Sequence, residues 1–119
     1  MNVTLRRIKP GPRLSRVVIC NGIAQLAGIT APDRSQDIHG QLRQVLARIE
    51  EHLAEAGTDK TRLVSTWIIL KDVARDFAAL NAAWEAWIPA GCAPARATWQ
   101  GTLAAPEILV EMIVSAAVE

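Results

Sequence analysis

The spacing of apolar residues changes several times along the chain and predicts strands alternating with helices. Two apolar runs, 17–20 and 23–27, flank the dipeptide Asn21-Gly22. This dipeptide tolerates the positive φ angles of a type I′ turn, so the pattern predicts a β-hairpin. A further short strand over 3–8 is expected before it.

Apolar residues spaced by three and four predict two helices, each with one apolar face. In the first, Asp33 is expected to cap the helix together with Gln36, and Gly57 to end it. Its core-facing residues are expected to be Ile38, Leu42, Val45, Leu46, Ile49 and Leu53. The second helix is expected to bury Phe77, Leu80, Trp84 and Trp87 and to end before Pro89 and Gly91.

Three more strands are predicted, over 63–70, 95–100 and 109–118, which gives the order β-β-β-α-β-α-β-β. We therefore expect an α+β sandwich in one domain, 1–119, with two helices on one face of a mixed sheet. The runs 64–70 and 109–114 are apolar on both faces, although a sheet covered on one side should alternate. An uncovered apolar face favours a homo-oligomer with clefts between its subunits.

Composition excludes several classes of protein. Half of the 119 residues are apolar and 21% are charged, which is typical of a soluble globular protein. No apolar run approaches the ~20 residues of a membrane span, and no signal segment is recognised. With two cysteines in no zinc-ligand spacing, a cytoplasmic location is expected.

The basic residues are concentrated near the N-terminus. Residues 1–32 contain five basic side chains and no acidic one: Arg6, Arg7, Lys9, Arg13 and Arg16. Such an arm can contact phosphates, but the chain has one Phe and no Tyr to stack on bases. Solvated strand faces are therefore favoured over a nucleic-acid site.

Neither histidine predicts a metal site. His39 and His52 lie 13 residues apart on the first predicted helix, on nearly opposite sides and about 20 Å apart. They cannot share an ion, and both are expected at the surface. No metal ligand set is predicted.

Arg96 is the strongest candidate for a functional residue. It stands in the apolar run 91–98, just after Pro94, where a strand should begin. Strand alternation places Arg96, Thr98 and Gln100 on one face, and a guanidinium can grip a carboxylate through two parallel hydrogen bonds. Glu111, in the apolar last strand, is the natural second member. It could form a structural ion pair with Arg96 or act as an acid or base beside a bound ligand.

Several segments, taken in order and spacing, resemble one known family. They are Gln41-Leu42-Arg43-Gln44, Ala56-Gly57, Leu70-Lys71-Asp72, Asp76-Phe77 with Asn81, Pro94-Ala95-Arg96 and Leu109-Val110-Glu111. The chain is similar over about 17–118 to the RidA/YjgF family of enamine/imine deaminases. The stretch from Asn81 to Trp87, followed by Gly-x-Ala-Pro-x-Arg-x-Thr over 91–98, resembles one bacterial branch of it.

The resemblance implies a chorismate-mutase-like fold and a homotrimer with active sites at its subunit interfaces. It implies that Arg96 binds the carboxylate of a 2-imino acid such as 2-iminopropionate, and that Glu111 positions the attacking water. Gly28 would line the pocket, and Asn81 would belong to the site. The products would be a 2-oxo acid and ammonia, and no cofactor or metal would be needed.

The chain departs from the family pattern at three pocket positions. Leu14 stands where active members often have tyrosine, Ala27 where serine or threonine is common, and Thr98 in place of a cysteine. Carboxylate binding is expected to survive these changes, while rate and substrate range are expected to differ. Two alternatives therefore stay open: a small-carboxylate-binding regulatory protein without turnover, and an RNA-directed ribonuclease or translation inhibitor.

Overall fold

The structure is a computed structural model and describes residues 4–119. In this range six strands form one mixed sheet and two helices pack on one of its faces. The strands are β1 (Leu5–Pro10), β2 (Ser15–Cys20), β3 (Ile23–Leu26), β4 (Leu63–Leu70), β5 (Ala95–Gln100) and β6 (Val110–Ala117). The helices are α1 (Ile38–Glu55) and α2 (Val73–Trp87), and a 3-10 turn (Lys60–Arg62) precedes β4. The predicted α+β fold and order of elements are confirmed.

The strands run in the order β1-β2-β3-β6-β4-β5 across the sheet. Neighbouring strands are antiparallel except β4 and β5, which are parallel and joined through α2. β5 is an edge strand, so its side chains lie at the rim of the molecule.

The β2–β3 hairpin forms where the sequence predicts it. Asn21 and Gly22 have φ angles of 52° and 75°, as a type I′ turn requires. The strand predicted over 3–8 corresponds to β1, and its first residue, Val3, lies outside the described residues.

The predicted start of the first helix is wrong by four residues. Asp37, not Asp33, is the N-cap, and its carboxylate accepts a hydrogen bond from the Gly40 N–H at 2.9 Å. Asp33 instead accepts from the backbone N–H and hydroxyl of Ser35, which closes a local turn. Short acidic side chains stabilise turns and caps through the same kind of bond, so the pattern alone does not separate the two. Gly57 ends the helix as predicted, with a φ of 82°.

The core lies between α1, α2 and the sheet, and it includes the predicted apolar stripe of α1. Gln41 is fully buried within it and hydrogen-bonded at both ends of its amide. Its Nε2 donates to the carbonyls of Gln36 and Glu107 at 3.1 and 2.9 Å, and its Oε1 accepts from the Leu109 N–H at 2.9 Å. One side chain therefore joins the start of α1 to the segment that leads into β6.

The sheet face opposite the helices is uncovered in the single chain and carries large apolar side chains. It carries Ile23, Gln25, Ser65, Trp67, Trp99 and Ile113, and we call it the open face. Trp67 and Trp99 are 56% and 43% exposed, with ring centroids 6.4 Å apart in an edge-to-face arrangement. The sequence prediction that two helices leave one apolar face uncovered is confirmed.

Candidate functional site

Arg96 is fixed on the helix side of β5 by two hydrogen bonds. Its Nε donates to Thr98 Oγ1 at 2.9 Å, and its Nη2 donates to Asn81 Oδ1 at 2.7 Å. Thr98 lies two residues along the same strand and therefore on the same face, as strand alternation predicts. Asn81 comes from α2. The structure thus brings together three of the predicted site residues.

Two aromatic rings of α2 flank the guanidinium. The Cζ atom of Arg96 lies 5.9 Å from the ring centroids of both Phe77 and Trp84. Phe77, Asn81 and Trp84 are spaced by four and three residues, so they share one face of the helix. Cation–π attraction to the rings stabilises the positive charge.

This role of Phe77 and Trp84 was missed in the sequence, where both were expected in the core. Trp84 is buried, but Phe77 is 43% exposed. The signal was present, since the polar Asn81 falls inside the apolar stripe of α2. An amide at that position indicates that the stripe faces a polar group.

The outer edge of the guanidinium is free. Nη1 makes no hydrogen bond within residues 4–119, and no carboxylate of these residues lies within ion-pair distance of Arg96. Burial lowers the pKa of Arg96, and Glu85 opposes that shift. An arginine nevertheless stays charged in a protein. The site therefore presents a partly desolvated cation with donors available to an anion.

Glu111 lies on the opposite face of the sheet. Arg96 pairs with Thr66 and Thr66 with Val114, which is buried under the helices. Glu111 is three residues from Val114 along β6, so alternation points its side chain to the open face. The Cα atoms of Arg96 and Glu111 are about 14 Å apart by strand geometry. The structural ion pair considered from the sequence is therefore wrong.

Gly28 lies against Glu111. A Cβ atom built on Gly28 would collide with the Glu111 carboxylate, 3.1 Å from its Cδ and closer still to Oε2. Gly28 is held there because the next residue, Ile29, pairs with Met112. The missing side chain therefore leaves room for the carboxylate, which has no hydrogen bond or ion pair within the described residues.

Two predicted pocket residues lie apart from Arg96. Ala27 precedes Gly28, and its N–H donates to the Arg16 carbonyl at 2.9 Å. Leu14 is in the β1–β2 loop and is 51% exposed. The seven predicted residues thus divide into a group around Arg96, formed with Asn81 and Thr98, and the remainder, which lie on the side of the sheet that carries Glu111 and Gly28 or in the β1–β2 loop.

The prediction that both histidines are at the surface is wrong for His52. It is 6% exposed, and its Nδ1 lies 2.7 Å from Glu55 Oε1. The apolar side of α1 is broader than the predicted stripe, so it includes this position.

Of the five N-terminal cations, Lys9 is ion-paired, and Arg16 is partly buried without a hydrogen-bond partner for its Nε and Nη2 atoms among the described residues. Lys9 Nζ forms an ion pair with Glu55 Oε2 at 2.6 Å, and the Nε and Nη2 atoms of Arg16 are buried. The Lys9 charge is therefore partly neutralised, and the Arg16 guanidinium is only partly accessible to a phosphate backbone. This weakens the case for an RNA-binding arm.

Within residues 4–119, no cluster of three His, Cys, Asp or Glu side chains is arranged to hold a metal ion. No helix of the described residues has the length and apolar character needed to cross a bilayer.

Comparisons with known proteins agree with this fold. Residues 4–118 match the family model named endoribonuclease L-PSP. A RutC family protein from Haemophilus ducreyi is 39% identical over 114 residues, covering 96% of this chain and 97% of that protein. Reactive Intermediate Deaminase A from Arabidopsis thaliana is 33% identical over 88 residues, covering 74% of this chain and 46% of that protein.

Solved structures show the same architecture. The crystal structure of a YjgF family member from Neisseria meningitidis superposes with a TM-score of 0.93 at 36% identity, covering 98% of this chain and 96% of that chain. Sequence and fold thus agree over nearly the whole length, and the chain belongs to the RidA/YjgF family.

Proposed function

We propose that this protein hydrolyses 2-imino acids, the tautomers of reactive 2-enamines, to 2-oxo acids and ammonia. One observation carries the proposal: Arg96 is a partly buried guanidinium held in place by Asn81 and Thr98, with free donors and no carboxylate of residues 4–119 within ion-pair distance. A cation arranged in this way suits a small carboxylate. The name of the Arabidopsis relative points to the same chemistry.

The reaction needs orientation more than activation. An iminium carbon is electrophilic, so a substrate anchored by its carboxylate needs mainly a well-placed water. Water oxygen adds to the carbon while a carboxylate accepts the water proton. That proton passes to the nitrogen, the C–N bond breaks, and the remaining hydroxyl proton leaves with the amine as ammonium.

Glu111 is the carboxylate proposed for this step, acting in a second copy of the chain. A single chain cannot bring Arg96 and Glu111 to one ligand, because they lie on opposite faces of its sheet. The apolar open face supports packing between copies. Because β5 is an edge strand, the open face of a neighbour can meet Arg96 at the rim. We therefore propose a homotrimer with the sites in its clefts, as the family resemblance implies.

The proposal is tested by trapping the substrate. An amino-acid oxidase converts 2-aminobutyrate to 2-iminobutyrate, which semicarbazide captures in competition with hydrolysis. Added protein should lower the semicarbazone yield, and Arg96→Ala should not. The exposed arginine variant Arg43→Ala is the matched control and should act like wild type. If wild-type protein does not lower the semicarbazone yield below that of the reaction without protein, the deaminase proposal is overturned.

Binding without turnover is the second candidate, and it uses the same anchor. Leu14 and Ala27 offer no polar side chain where active relatives often have one, while Arg96 and its supports are intact. Titration with the stable product 2-oxobutyrate separates the two functions. Saturable binding with no effect on semicarbazone yield would favour the regulatory function.

A further inference from the structure

We propose that Thr98 is a positioning residue that determines which edge of the Arg96 guanidinium receives a carboxylate. The inference deepens the proposed function and rests on it only in taking Arg96 as the carboxylate anchor. Thr98 itself acts through Arg96. Its Oγ1 accepts the Nε hydrogen at 2.9 Å from a position two residues along the same strand.

A guanidinium offers two edges to a carboxylate, one formed by Nε and Nη2 and one by Nη1 and Nη2. Nε has a single hydrogen, and Thr98 takes it. Nη2 has two hydrogens, of which Asn81 takes one at 2.7 Å. The donors left are both hydrogens of Nη1 and one of Nη2. With the Nε hydrogen taken, the Nε/Nη2 edge cannot bind a carboxylate through two parallel bonds, and we assign the carboxylate to the Nη1/Nη2 edge.

The two hydrogen bonds also fix the plane of the guanidinium before a ligand arrives. Arginine has a long flexible side chain, and ordering it on binding reduces affinity. Asn81 anchors one end of the group from α2, and Thr98 prevents rotation about the other end from β5. A threonine hydroxyl is a good acceptor for this purpose, whereas a thiol is a weak one.

The direct test observes the Arg96 Nε–H by NMR in arginine-labelled full-length protein, with the signal assigned by its loss in Arg96→Lys. Thr98→Val keeps the β-branched shape and removes the acceptor, so exchange of this hydrogen with water should accelerate about tenfold. Thr98→Ser should restore slow exchange. Thr98→Cys should fall between the two.

Ligand binding gives the second measurement, with 2-oxobutyrate as the probe. Its Kd should rise about fivefold in Thr98→Val and stay near the wild-type value in Thr98→Ser. In wild type, the Nη signals should shift on titration while Nε stays bonded to Thr98. In Thr98→Val, Nε should shift as well, because its hydrogen no longer has a partner in the protein and can bind the carboxylate. A merely structural role for Thr98 would lower thermal stability and leave this pattern unchanged.

The outcomes separate this inference from the proposed function. Wild-type binding that Thr98→Val weakens, without any turnover, would overturn the deaminase proposal and support the positioning role. Equal Nε exchange and equal Kd in wild type and Thr98→Val would overturn the positioning role, whatever the turnover. Absence of 2-oxobutyrate binding by wild type would overturn the positioning role, while the semicarbazide assay alone decides the deaminase proposal.

Discussion

Arg96 and Glu111 lie on opposite faces of one sheet, three residue pairs apart along strands β5, β4 and β6. Each has its own support: Asn81 and Thr98 bind the guanidinium, and the absence of a side chain at Gly28 makes room for the carboxylate. A cation and an acid arranged in this way serve one ligand only when two copies meet.

The first prediction concerns the anchor itself. Arg96→Ala should lower kcat/KM about 100-fold, because it removes charge-assisted hydrogen bonds to the carboxylate. Arg96→Lys should lose less activity, since it keeps the charge but not the two parallel bonds. The amount of semicarbazone formed in the trapping assay measures the activity of both variants. Equal activity of Arg96→Ala and wild type would contradict the assignment.

The second prediction tests whether two copies build each site. Arg96→Ala and Glu111→Gln should each be inactive alone. When they are co-refolded, random assembly of a cyclic oligomer should restore about a quarter of the sites, because each variant supplies the residue the other lacks. Each variant refolded alone is the control. Failure of the mixture to recover activity would mean that the two residues do not share a site across copies.

The third prediction concerns the space beside Glu111. Gly28→Ala should push the carboxylate away and lower kcat about tenfold with little change in KM, because proton transfer requires a well-positioned group. Thermal stability should change little, since the Glu111 side chain can move. Gly11→Ala is the matched control, because a Cβ there meets only the Leu14 carbonyl at 3.4 Å. An unchanged kcat in Gly28→Ala would show that the position of the carboxylate does not limit the reaction.

The fourth prediction concerns the open face. Trp67→Glu should dissociate the oligomer, because it places a charge within an apolar interface, and sedimentation velocity should detect the change in size. The fold should survive, since Trp67 is 56% exposed in the single chain. Ala86→Glu adds the same charge to the exposed side of α2 and should leave the oligomer intact. A stable monomer of the wild-type protein would itself contradict the proposed trimer.

The fifth prediction is a pH dependence at the start of α1. The Gly40 N–H donates to Asp37 and lowers the pKa of that carboxyl below its ordinary value. A lowered folded-state pKa stabilises the protein above the unfolded value of about 3.9, and this stabilisation is lost as pH falls through the folded pKa. Asp37→Ala should therefore lower Tm at pH 7, with a smaller difference from wild type at pH 3.

Asp37→Asn is the control, because it keeps the capping oxygen without the charge. Its difference from Asp37→Ala should persist at low pH. A wild-type advantage over Asp37→Ala that stays constant down to pH 3 would contradict the role assigned to the ionised carboxylate.

Local patterns predicted the elements of this fold well. Leu63–Leu70 and Ala95–Gln100 form strands with the predicted bounds, and Asn21-Gly22 forms the predicted turn. These features depend on residues close in the chain. The predicted start of the first helix was wrong because Asp33 and Asp37 both accept local hydrogen bonds from backbone N–H groups, and only the Asp37 bond caps the helix.

The candidate site was predictable only in part. Alternation within β5 correctly joined Arg96 to Thr98, since both lie on one strand. The relation of Arg96 to Glu111 depends on the register of β4 with both its neighbours, which no single strand encodes. Phe77 was misassigned to the core because an apolar residue in a helix stripe can equally face a guanidinium.

The buried amide of Gln41 has a consequence for local unfolding. If the start of α1 opens, the Glu107 carbonyl and the Leu109 N–H lose their hydrogen-bond partner together. Glu111 follows Leu109 by two residues, so it lies next to the segment that is released. The first helix and the last strand should therefore exchange their amide hydrogens as one cooperative unit. The carboxylate proposed to activate the water thus stands on a strand whose opening is coupled to that of the first helix.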